Sequence, residues 1–143
     1  MENQLKTGSE VWLKLPYGDL FSQPHNKENC VFIAGGTGIT PFLSLFTHES
    51  FYEYINPKIY LGFRSEDYYV YNNELERVCN SSPFLKLYFQ GRDGIIDIKQ
   101  ILFDNGASSS YFISGPPLMI KTFKENLMAE GVSAENVLTD DWE

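Results

Sequence analysis

From Cys30 onward, short apolar runs alternate with segments of helical periodicity. Cys30 to Ala34 is a continuous apolar run, as expected of a strand buried on both faces. Lys58 to Phe63, Leu85 to Phe89, Ser110 to Ser114 and Asn136 to Thr139 are the other strand candidates. Helical patterns cover Pro41 to His48, Asn72 to Cys79, Asp97 to Phe103 and Leu118 to Glu130. Leu75 and Val78 share one face of the second. Ile98, Ile101 and Leu102 face inward in the third. Ile120, Phe123, Leu127 and Met128 are the apolar positions of the fourth, and Gly131 is a natural stop after it. Such alternation predicts an α/β fold, a five-stranded parallel sheet with helices on both faces. Ligands then bind at the carboxyl ends of the strands, near the point where strand order reverses.

The first 21 residues differ. Val11, Leu13 and Leu15 alternate with Trp12 and Lys14, which predicts a strand. Pro16-Tyr17-Gly18-Asp19 is a turn, and Gln23 to Asn29 is a polar linker. This opening reads as the tail of a preceding unit or as a brace for the main domain.

The length of 143 residues suits one domain, and 43% hydrophobic residues suffice for a core. A formal net charge of −8 is the wrong sign for nucleic acid or an anionic membrane surface. No apolar run is long enough for a membrane helix. The N-terminus has no signal-peptide core, so a cytoplasmic protein is expected. Cys30 and Cys79, the only cysteines, exclude a self-contained cysteine-ligated iron–sulfur cluster. His25 and His48 have no partners at metal-ligand spacing, so no metal site is expected. Tyr68-Tyr69-Val70-Tyr71 reads as packing and loop surface rather than a cofactor box.

The segment from Cys30 to Pro41 is the most informative. The apolar run leads directly into Gly35, Gly36 and Gly38. Glycine permits positive φ and lets a ligand approach without meeting a Cβ. Thr40 is expected as N-cap and Pro41 as the first helical residue. A helix N-terminus there favours a pyrophosphate. The spacing is neither G-x-G-x-x-G nor a P-loop, which needs a Lys after its last glycine. Arg64 and Arg92 each follow a strand that ends on the ligand side. Either can pair with a 2′-phosphate or remain a solvated loop charge. Asp93 can accept from ribose hydroxyls.

Gly35-Gly36-Thr37-Gly38-Ile39-Thr40-Pro41 resembles the nucleotide signature of the ferredoxin–NADP reductase family. Ser114-Gly115-Pro116-Pro117-Leu118-Met119 resembles its second signature, and Gly62-Phe63-Arg64-Ser65 the end of its second strand. Val11 to Phe21 resembles the last strand and exit loop of its flavin barrel. Asp140-Asp141-Trp142-Glu143 resembles its acidic, aromatic C-terminus.

The resemblance implies a Rossmann-like domain that binds NADH or NADPH and passes hydride to FAD or FMN held by a β-barrel domain. The flavin motifs are absent, so that domain is expected in a longer chain or on another polypeptide. Residues 1–25 then correspond to the end of the barrel and a linker, and residues 26–143 to the NAD(P)-binding domain. Thr37 matches a threonine beside the nicotinamide, or is a loop hydroxyl bonded to local backbone. Ser114 stands where the family usually has cysteine near the reactive carbon, a change expected to slow hydride transfer. Ser65, Gly115, Pro116 and Met119 complete the implied nucleotide slot. Trp142 either stacks on the flavin or packs on the sheet end. The redox acceptor is not identified. The rival reading is a regulatory module that binds a nucleotide without redox chemistry.

Overall fold

A computed structural model describes residues 6–12, 19–79 and 84–140. Five strands form one parallel sheet: β1 (Cys30–Gly35), β2 (Lys58–Phe63), β3 (Phe84–Phe89), β4 (Ser110–Ser114) and β5 (Val137–Thr139). Their order is β3-β2-β1-β4-β5, so the sheet reverses direction of winding between β1 and β4. Register places Gly35 opposite Gly62 and Ala34 opposite Ser114, which aligns the strand ends along one rim.

Alternation along each strand sorts side chains onto two faces. Cys30, Phe32, Ile59, Leu61 and Phe112 join one core with α1 (Ile39–Phe46) and α2 (Asn72–Cys79). Val31, Ile33, Tyr60, Tyr111 and Ile113 join the other with α4 (Ile98–Asn105) and α5 (Pro117–Ala129). The expected α/β class and five-stranded parallel sheet with helices on both faces are present. Between β3 and α4, α3 is a single turn, Gln90–Asp93. No described helix is long and apolar enough to cross a membrane.

Helix ends follow local chemistry. Asp97 caps α4 by accepting from the Lys99 and Gln100 amides at 3.0 and 3.2 Å. Gly131 at φ 94 ends α5, and the Val132 amide donates to the Leu127 carbonyl. Met128 is 44% exposed, so the buried stripe of α5 is Ile120, Phe123 and Leu127. The first helix departs from expectation at both ends. It starts at Ile39 with Gly38 as N-cap, because Gly36–Gly38 already forms a 3-10 turn that runs into it. Thr40 therefore lies in the first turn, and its hydroxyl donates to the Thr37 carbonyl at 3.0 Å. Pro41 also falls in that turn, where the missing N–H removes no intrahelical bond. The helix ends at Phe46, and His48 caps a following 3-10 helix, Glu49–Glu53.

Val11 and Trp12 are exposed and belong to no strand, and the rest of the strand expected there lies outside the described residues. The linker is better anchored than its polar composition suggests. Leu20 is buried, and Phe21 packs on Phe42 and Phe112. His25 stacks on Tyr54, meets Phe112 edge-on, and bonds to the Tyr54 hydroxyl and the Gln23 carbonyl.

Candidate functional site

The site begins where β1 ends. Gly36 has φ 55, and a Cβ added to it would meet no heavy atom within 4 Å. Open space at a backbone turn is where a ligand can approach the chain most closely. The other two glycines of the loop serve packing. A Cβ on Gly38 would stand 2.5 Å from the Gly115 backbone and the Ser114 carbonyl carbon. A Cβ on Gly35 would stand 2.7 Å from the Met119 sulfur and 3.3 Å from Pro116. The two signature loops, one after β1 and one after β4, are thus pressed together at the switch point. Met119 fills the space beneath Gly35 and Gly115.

On the β2 side the glycine loop opens onto a cleft of about 300 Å³. Gly36, Thr37, Phe63, Arg64, Tyr68 and Tyr71 line it. Thr37 is exposed, and among the described residues its hydroxyl has no hydrogen-bond partner. Arg64 is exposed and, among the described residues, forms no ion pair. Ser65 precedes a 3-10 turn, Glu66–Tyr68, that carries the cleft wall. Tyr68 and Tyr71, expected as packing or loop surface, stand on that wall. Their place depends on the 3-10 turn, and the signal available in sequence is aromatic residues just beyond a strand on the ligand side.

Arg92 sits at the rim, beyond the end of β3. Its Nε and Nη2 donate to the Asp93 carboxylate at 3.0–3.2 Å, and its Nη1 donates to Glu66 Oε1 at 2.9 Å. The guanidinium carbon lies 4.9 Å from the Phe89 ring centre. Asp93 also accepts from the Phe89 amide at 2.9 Å. The bonds from Arg92 and from that amide hold the Asp93 carboxyl below its usual range, and Asp93 in turn raises Arg92.

On the β4 side, Ser114 is 1% exposed and donates to Asp140 Oδ2 at 3.2 Å. Gly115 has φ 152, and a Cβ there would fall 2.8 Å from Met119. Pro116 caps α5, which starts at Pro117. The structure therefore brings Gly35, Gly36, Thr37, Gly38, Gly115, Pro116 and Met119 together, with Arg64 across the cleft. Thr40 and Pro41 lie in the first turn of α1, directly after the loop. Trp142 lies outside the described residues. No group of three metal-ligating side chains occurs among the described residues.

Residues 32–125 match the oxidoreductase NAD-binding domain family. The Na(+)-translocating NADH-quinone reductase of Methylococcus capsulatus has one component that is 28% identical over 156 aligned positions, covering 96% of this chain and 38% of that protein. Among solved structures, a flavohemoglobin from Malassezia yamatoensis with bound FAD and heme superposes with TM-score 0.71 at 22% identity, over 92% of this chain and 38% of that one. A ferredoxin NADP+ reductase from Neisseria gonorrhoeae with bound FAD and NADP gives TM-score 0.64 at 20% identity, over 80% and 54%. The chain spans 38% of the length of the curated relatives it matches. It belongs to the oxidoreductase NAD-binding domain family.

Proposed function

We propose that this chain holds a reduced nicotinamide dinucleotide across the carboxyl ends of β2, β1 and β4 and presents its nicotinamide to a flavin on another domain. One observation carries the reading: Gly36, at positive φ beside an open cleft, lies where two glycine loops meet at the switch point of the sheet. The amides of Gly36 to Gly38 and the start of α1 favour the pyrophosphate. Arg64 adds a charge-assisted contact from the facing wall. Tyr68 and Tyr71 offer aromatic surface for the adenine. The nicotinamide then points toward Ser114 to Pro116.

The reading assigns the flavin to a separate domain, which is supported by the flavohemoglobin and the reductase that this chain resembles in fold, both longer proteins with bound FAD. That flavin supplies the hydride acceptor when bound. The side chains here orient the nucleotide; none is needed as acid or base. Residues 1–25 would then lead from the flavin domain. By itself the chain should lack reductase activity.

Purified chain is expected to be colourless, to bind a reduced nicotinamide nucleotide by calorimetry, and not to reduce ferricyanide with it. Joining it to a flavin domain through Val11 to Phe21 should create that activity. A joined protein that binds nucleotide yet leaves its flavin oxidised would favour the regulatory reading instead. That reading draws on the commitment of the Ser114 hydroxyl to Asp140.

A further inference from the structure

We infer that the nucleotide is NADH, selected against NADPH by the Glu66–Arg92–Asp93 cluster at the ends of β2 and β3. This rests on the nucleotide site proposed above. In a sheet wound in this order, the adenosine half lies over the strands on the β2 side, and the group at the end of those strands reads the ribose. An acidic residue there suits the free 2′-hydroxyl of NADH; an available arginine suits the 2′-phosphate of NADPH.

Two arginines stand at those strand ends, Arg64 after β2 and Arg92 after β3, and the guanidinium of Arg92 is already committed. All three of its nitrogens donate to carboxylates: Nε and Nη2 to Asp93, Nη1 to Glu66. One face is covered by the Phe89 ring. Asp93 is itself held by the Phe89 amide, which orients its carboxylate toward Arg92. A 2′-phosphate would have to displace Glu66 or Asp93 from Arg92 and remain near both. The two strand-end turns carry Glu66, Asp67 and Asp93 against Arg64 and Arg92, an excess of negative charge. Arg64 lines the cleft with Gly36 and Thr37, and the site proposed above gives its charge to the pyrophosphate common to both nucleotides. A ribose hydroxyl meets the same carboxylates as a hydrogen-bond donor.

The test is calorimetric titration of the full chain with NADH and with NADPH, repeated on Glu66→Gln. Glu66 is 71% exposed in its side chain, so the substitution should leave the fold intact. The wild-type chain should bind NADH about tenfold or more tighter than NADPH. Glu66→Gln should narrow that ratio by about threefold or more, chiefly through tighter NADPH. The wild-type preference should also shrink as salt rises, since exposed charges are screened. NADPH binding as tightly as NADH, or a ratio unchanged in Glu66→Gln, would overturn the inference while leaving the nucleotide site standing. Failure of both nucleotides to bind would overturn the site and this inference together.

Discussion

The Ser114 hydroxyl donates to the Asp140 carboxylate across 26 residues of sequence, and both side chains are buried. The bond ties the end of β4 to the residue that follows β5, and the Asp140 amide adds a second tie by donating to the Ile113 carbonyl at 3.0 Å. A buried carboxylate needs its donors, because the cost of desolvating it is otherwise uncompensated. Ser114→Ala should therefore lower the unfolding free energy by about 1–3 kcal/mol. Urea denaturation should show an earlier midpoint with an unchanged slope. An unchanged midpoint would mean that the pair contributes nothing to stability. Ser114→Cys should fall between the two, because a thiol is a weaker donor.

Gly36 and Gly38 should separate binding from folding. Gly38→Ala drives a Cβ to 2.5 Å from the backbone of the facing loop, so either the β1 and β4 loops part or the chain unfolds more easily. A loss of about 2 kcal/mol or more is expected, as for other overpacked sites. Gly36→Ala meets no atom and costs only the left-handed backbone, about 1 kcal/mol. Its methyl group would nevertheless occupy the space proposed for the pyrophosphate. Thermal unfolding should thus rank Gly38→Ala as the worse, whereas calorimetry should find nucleotide affinity lost in Gly36→Ala. Full affinity in Gly36→Ala would move the pyrophosphate elsewhere.

Arg64 faces the cleft, and Arg92 is bound to its neighbours. Arg64→Ala should weaken NADH and NADPH alike, by about 1.5–3 kcal/mol for a lost charged hydrogen bond. That is a roughly ten- to hundredfold change in affinity. A loss confined to NADPH would assign Arg64 to the 2′-phosphate instead.

Much of this is legible in the sequence because it is local. The apolar run at Cys30 to Ala34 announces a doubly buried strand, and three glycines after it announce a turn that tolerates close approach. The helix starts two residues earlier than residue preference places it, because Gly38 itself adopts right-handed helical angles. What escapes is non-local. Arg92 meets Glu66 and Ser114 meets Asp140 at separations of 26 residues, and His25 meets Tyr54 at 29. Periodicity assigns a residue to a face but does not pair it with a distant one. For the same reason His25 reads as a bland linker residue in sequence, although it is clamped between two aromatic rings.

Alkaline pH should unfold the protein through groups far from the cleft. Burial pushes the Cys30 thiol from 9.0 up to about 12, against a smaller opposing effect of Lys27. Burial likewise raises Tyr54 and Tyr111 from 10.0 to about 12. All three are neutral when protonated, and the folded state holds those protons more tightly than the unfolded chain. Their contribution is therefore complete below about pH 9, where both states are protonated. It declines as pH rises toward 12, because the unfolded chain ionises first and is favoured. Each such group should remove about 1.4 kcal/mol per pH unit while the two states differ in protonation. Urea midpoints should hold between about pH 7 and 8.5 and fall steeply between about pH 9.5 and 11. Tyrosinate absorbance should show a fraction of tyrosines that ionise only with unfolding, a lag abolished in strong denaturant. A urea midpoint that stays level to about pH 11 would show that these buried groups ionise as readily folded as unfolded.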